Sequence, residues 1–196
     1  FCQAEEFLII QAGDSVTLPL FYDGTKLWRS VGIISANNAP GSTPLGVTPY
    51  NELPVATAMD YYMGRLWYAQ GRQYCAGDIV QNVGSGTLPY NYRDSVLKVT
   101  ENQIATGGDG FIVPSNAGNI RAISHVESLD TQLGRGTLFI FTRQTIYKMD
   151  VPVTRLDWVG ANPDNLPFQT VAQRTNGSVN DRSIVPVNGD LFYRSL

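Results

Sequence analysis

At 196 residues the chain can bury one sizeable core or a run of smaller modules. Charged residues make up only 16%, while Gly (19), Pro (11) and aromatics (11%) are abundant, which excludes a disordered polyelectrolyte and suits many short strands separated by turns. The net charge is -3 and the 14 Lys and Arg residues are scattered, so no basic face for gripping nucleic acid is evident.

The first predicted element is a hairpin region at 7–30. There Asp23-Gly24 joins Leu20-Phe21-Tyr22 to Thr25-Lys26-Leu27-Trp28. That dipeptide favours a type I′ turn, whose two central residues need positive φ. Residues 35–57 carry Pro40, Pro44, Pro49 and Pro54 with Gly41 and Gly46, the composition of an extended loop. A second hairpin region follows at 58–80, where Gln70 to Gln73 turn Trp67-Tyr68 back into Tyr74-Cys75-Ala76. Residues 81–117 are loop-rich, and the one helix candidate, Tyr92 to Ala105, lies within them. It is short, and Val99 and Thr100 weaken it.

The third hairpin region spans 118–150, with Arg143-Gln144 as its turn. In it Leu138 and Ile140 point one way along the strand, while Phe139 and Phe141 point the other. Two apolar faces mean a strand buried on both sides. After a loop-rich stretch at 151–182, the last hairpin occupies 183–196 and turns at Asn188-Gly189. Pro186 places its strand at an edge or a bulge, because proline has no N–H for the ladder. A phrase of Gly, any residue, Leu and then aromatic or aliphatic residues recurs at Gly64, Gly136 and Gly189, at spacings of 72 and 53 residues. The expected fold is therefore all-β, with antiparallel hairpin units as blades of a β-propeller, a β-sandwich as the alternative, and at most one short helix.

Candidate chemistry is sparse. The one histidine, His125, has Asp130 five residues on, but a strand residue making a polar contact is the expectation over a catalytic base. Asp23, Asp60, Asp78 and Asp190 are carboxylates near strand ends, where a glycosidase pair could be built and where aspartate is also ordinary turn chemistry. Cys2, Cys75 and His125 are too isolated for zinc, and Gly107-Gly108-Asp109-Gly110 reads as a turn, not a calcium loop. Cys2 and Cys75 are expected to be free, partly buried thiols, with one bridge between them as the alternative. Gly84-Ser85-Gly86 and Gly134-Arg135-Gly136 lack the context of a phosphate loop. Asn176-Gly177-Ser178 matches a glycosylation triplet without any sign of secretion, and Arg155, Trp158 and Arg174 fit a protein interface better than a nucleic-acid contact. No catalytic residue, cofactor or metal is expected. No run approaches the roughly 18 apolar residues of a membrane span, and no secretory signal is recognisable. The sequence opens Phe1-Cys2-Gln3 without a methionine and closes in what reads as a strand cut short, so it is expected to be a stretch of a longer polypeptide.

Three phrases together carry a resemblance. They are Phe7-Leu8-Ile9-Ile10-Gln11-Ala12-Gly13 followed by Pro19 to Gly24, Gly64 to Ala69 followed by Gly77-Asp78-Ile79, and Ser183 to Ser195. In this order they resemble propeller repeats of phage virion proteins, especially the nozzle or tail tubular proteins of short-tailed phages. The resemblance touches about half the chain. It implies a non-enzymatic structural component of the virion tail, assembled in the host cytoplasm. The implied partners are copies of itself in a ring of six, the head-to-tail adaptor, portal or tail fibre proteins, and genomic DNA passing without specific contact. A host-receptor-binding or scaffold propeller and a carbohydrate-active propeller hydrolase are the alternatives.

Overall fold

The computed structural model describes residues 1–32, 52–77, 111–126, 135–152 and 169–195. Among them are fourteen β-strands, two single-turn 3-10 segments and no α-helix. The helix candidate at Tyr92 to Ala105 lies outside the described residues.

Chain order and sheet order coincide. Strands β1 (Cys2–Ala4), β2 (Phe7–Ile10), β3 (Leu20–Tyr22) and β4 (Leu27–Arg29) form the first antiparallel sheet, each paired with its sequence neighbour. The second sheet is β5 (Ala58–Tyr62), β6 (Arg65–Gln70), β7 (Gln73–Ala76) and β8 (Phe111–Ile112). The third is β9 (Ile120–His125), β10 (Arg135–Thr142), β11 (Thr145–Pro152) and β12 (Gln169–Arg174). A two-stranded hairpin, β13 (Ile184–Val187) and β14 (Asp190–Tyr193), follows. Three four-stranded meanders and a hairpin thus repeat one plan.

Local chemistry sets the turns. Asn188 (φ 50°) and Gly189 (φ 86°) both take the left-handed conformation between Val187 and Asp190, as a type I′ turn requires. Met63 (φ 51°) and Gly64 (φ 70°) do the same between Tyr62 and Arg65. The recurrent Gly-x-Leu phrase is therefore turn followed by second strand at Gly64 and Gly189. Gly136 differs, because it lies within β10 opposite Val151. The turn at Asp23-Gly24 departs from the expected I′ form. The Asp23 carboxylate accepts the Thr25 and Lys26 backbone N–H groups at 2.8 and 2.7 Å, so only Gly24 (φ 90°) needs positive φ. Pro186 lies on β13, whose only described ladder is with β14, so it sits on an edge as its missing N–H demands.

The sheets stack face to face, and the period-2 alternation sends side chains into two different cores. Leu66 and Tyr68 of β6 pack towards the first sheet with Phe7, Ile9 and Phe21. Trp67 and Ala69, the alternate residues, pack with Tyr74 against Leu138, Ile140, Tyr147 and Met149 of the third sheet. On β10 the two faces separate as the sequence pattern requires: Leu138 and Ile140 face the second sheet, while Phe139 and Phe141 face the hairpin with Ile184, Leu191 and Tyr193. Burying one such Leu or Ile side chain stabilises the fold by roughly 1.5–3 kcal/mol.

The stack leaves apolar residues on its two end faces. Leu8, Tyr22 and Leu27 stand in register across the first sheet, 37%, 40% and 58% exposed. Val185 and Phe192 stand opposite each other on the hairpin's outer face, 53% and 61% exposed. Consecutive sheets also meet along one edge: β1 lies against β5, β5 against β9 and β9 against β13. The first strand of every unit is thus next to the first strand of the following one.

Candidate functional site at the junction of the first strands

Three first strands bring together residues far apart in sequence. Asp60 is the central residue of β5 and His125 the last residue of β9. The His125 Nδ1 lies 2.7 Å from the Asp60 Oδ2, and the two side chains are 26% and 19% exposed. The second carboxylate oxygen, Oδ1, accepts the Tyr61 backbone N–H at 3.0 Å. The Tyr62 ring stacks on the imidazole with centroids 4.4 Å apart and planes 16° from parallel, and its hydroxyl donates to the Val126 carbonyl at 3.4 Å. Tyr61, pointing the other way, donates its hydroxyl to the Glu5 carboxylate beside β1. One strand, β5, therefore carries polar links to the sheets on both sides.

A carboxylate beside Nδ1 favours the proton on that nitrogen and orients the ring. That is half of a nucleophile-activating arrangement; the other half is an accessible nucleophile. Cys2 is the thiol that senses the Asp60 charge. Burial, with a smaller contribution from that carboxylate, pushes it up to about 12, so it stays protonated at neutral pH and is no nucleophile. Neither Cys2 nor Cys75 is in a disulfide, and both are half-buried beside the core between the first and second sheets. Among the described residues no group of three or more His, Cys, Asp or Glu side chains is placed to hold a metal ion.

The structure places the other sequence candidates apart. Asp23 is half-buried and occupied by its own turn, which holds its carboxyl below the ordinary range through the Lys26 and Thr25 N–H groups. Asp190 is exposed at the foot of β14, on the far side of the third sheet from Asp60. Asp78, Asp130, Arg155, Trp158 and the Gly107–Gly110 turn lie outside the described residues. Arg174 is exposed on β12, beside a hollow that Tyr147 and Val171 also line. In the Asn176-Gly177-Ser178 triplet, Gly177 and Ser178 are buried against the β10–β11 turn, where the Ser178 N–H donates to the Thr142 carbonyl at 3.0 Å.

Sequence reasoning singled out Asp60 and His125 separately and missed their pairing, together with Tyr61, Tyr62 and Glu5. Nearness along the chain pointed to Asp130 as the partner of His125. The usable signal was a polar residue on the first strand of two successive units, and it becomes visible only once the first strands are known to touch.

A second concavity lies between the third sheet and the hairpin. This cleft has a volume of about 970 Å³ and is walled by Phe139, Phe141, Ile146, Leu191 and Tyr193, with Gln173 and Asp190 at its polar end. The Tyr193 hydroxyl donates to the Gln173 Oε1 across it at 2.7 Å. No family model, curated protein or solved structure matches the chain.

Proposed function

We propose that this chain is a structural module, an arc of β-propeller blades, in the tail of a short-tailed phage, where it forms part of the wall through which the genome leaves. The observation that carries the propeller reading is the repeated plan itself. Three successive four-stranded meanders stack face to face with their first strands together, which is the arrangement of consecutive blades around an axis. A sandwich of two sheets would not carry apolar residues on both faces of β6 and β10. The tail reading rests on the Gly64 to Ala69 and Ser183 to Ser195 phrases, which resemble nozzle repeats. The apolar end faces support assembly with neighbours, and a net charge of -3 with scattered basic residues supports passage of DNA without capture.

In this reading Asp60, His125 and Tyr62 clip two blades together near the axis. Negative-stain imaging of the purified intact protein tests the proposal: rings with a central opening and rotational symmetry are expected. Compact single particles that hydrolyse a glycan, with the activity abolished by Asp60→Asn or Asp190→Asn, would overturn it in favour of a hydrolase.

A further inference from the structure

We propose that the hollow between the second and third sheets binds a uronic-acid unit, a saccharide ring bearing a carboxylate, with Arg174 holding the carboxylate and Tyr147 a ring hydroxyl. The hollow has a volume of about 640 Å³, within the range of small-molecule sites.

The strand register builds it. Tyr147 stands opposite Val171, and Thr145 opposite Arg174. The register passes over Ala172, and this bulge carries Val171 and Arg174 onto one face although an odd number of positions separates them. That face is the one turned to the second sheet, where Tyr147 packs with Leu138 and Met149. The final hairpin packs on the opposite face, against Phe141 and Ile146. The rest of the wall is the β10–β11 turn and the link between the second and third sheets, where Pro114 and Asn116 flank a single 3-10 turn. The site therefore belongs to two complete four-stranded sheets and owes nothing to the hairpin. Residues 127–134 and 153–168 join the third sheet at its other end, beyond the His125–Leu138 and Met149–Gln169 pairs.

Two observations point to a ligand. Tyr147 is only 5% exposed, yet among the described residues nothing hydrogen-bonds its hydroxyl, whereas buried tyrosines usually find a partner. The hydroxyl is not sealed into the core, and the hollow is the concavity its side chain lines. Beside Arg174, Thr175 holds φ at 74°, a left-handed conformation that a β-branched residue adopts rarely and at a cost. Its surroundings fix it there. The Ser178 N–H donates to the Thr142 carbonyl at 3.0 Å, and the Thr142 hydroxyl accepts the Thr145 N–H at 3.0 Å and donates to the Thr145 carbonyl at 2.8 Å.

The lining defines the ligand. Asn116 and Gln144 offer amides, and Thr145 and Thr175 offer hydroxyls, groups that donate and accept as sugar hydroxyls do. Pro114 and Val171 present apolar surface to the C–H face of a ring. Among the described residues Arg174 is the one charged group in the lining, so no acidic side chain there competes for its planar fork, which matches a carboxylate.

Titration of the whole chain with sodium glucuronate, followed by NMR, tests this. Saturable shifts of the Asn116 and Gln144 side-chain amides are expected, with a dissociation constant in the millimolar range. Methyl glucoside, which lacks the carboxylate, should bind at least tenfold more weakly. Arg174→Gln should bring the two sugars to within twofold of each other. Tyr147→Phe should weaken glucuronate at least fivefold and leave the melting temperature unchanged, which a tyrosine kept only for the core would not do. Tighter binding of a galacturonate trimer than of the monosaccharide would identify a glycan as the source, and equal binding the free acid. Absence of saturable shifts, acetate or inorganic phosphate displacing glucuronate at equal concentration, or unchanged affinity in both variants would overturn the proposal.

Discussion

Single residues do their work here through backbone contacts that leave no room for substitution. Gly177 is the clearest case: an added Cβ would stand 2.1 Å from the Thr142 carbonyl oxygen and 2.4 Å from that of Arg143. Both are backbone atoms of the β10–β11 turn, so they cannot rotate away. Gly177→Ala is expected to lose about 2 kcal/mol or more in urea unfolding, while Asn176→Gln, an exposed neighbour, should change it by less than about 0.5 kcal/mol. Asp14 shows an electrostatic counterpart at the surface. Its carboxylate accepts the Thr17 hydroxyl and the Val16 and Thr17 N–H groups, which together lower it from 3.8 to about 2. The charged form is the one the folded state favours, so the contribution is in place above about 3.8 and is lost as pH falls towards 2. A carboxyl titration by NMR should find a midpoint near 2, and Thr17→Val should raise it. Cys2 behaves oppositely: its thiol, pushed up to about 12 by burial, should resist alkylation at pH 8 until the chain is unfolded.

At the scale of strands and turns, much of the architecture could be read from residue patterns. Both faces of Leu138-Phe139-Ile140-Phe141 are apolar, and the strand is packed on both sides. Asn188-Gly189 announces its own turn because few other dipeptides accept two positive φ values. The turn at Asp23 shows where such reading stops. A side chain that competes for the backbone N–H groups moves the turn by one position, and that competition depends on local geometry, not on the dipeptide. The Asp60–His125 link was harder still. Its partners are 65 residues apart, and no periodicity relates them. A double-mutant cycle with Asp60→Asn and His125→Gln should give a coupling of about 1 kcal/mol, since a charge-assisted hydrogen bond is strong but this one is partly open to water.

For the whole molecule, stability resides in interfaces between successive units. The second and third sheets each bury one face against the unit before and the other against the unit after, so the end units are the least protected. Leu8, Tyr22 and Leu27 at one end, with Val185 and Phe192 at the other, form two apolar surfaces on one body. Such surfaces drive association. Light scattering should show concentration-dependent assembly, and replacing Leu27 and Phe192 by Thr should reduce it with little effect on thermal unfolding, because both side chains are mostly solvent-exposed.

The coincidence of chain order with sheet order also shapes how the molecule acquires its structure. Most pairings join strands separated by a short turn, so the search that forms those hairpins is local, and hairpins of this kind close within about 1–10 μs. The slower events are the encounters between meanders, in which β5 must find β1 and β9 must find β5. A mutation within a turn should therefore alter the early phase of refolding, whereas Tyr62→Ala, which strips the ring stacked on His125, should act mainly on the later phase and on the rate at which the units come apart.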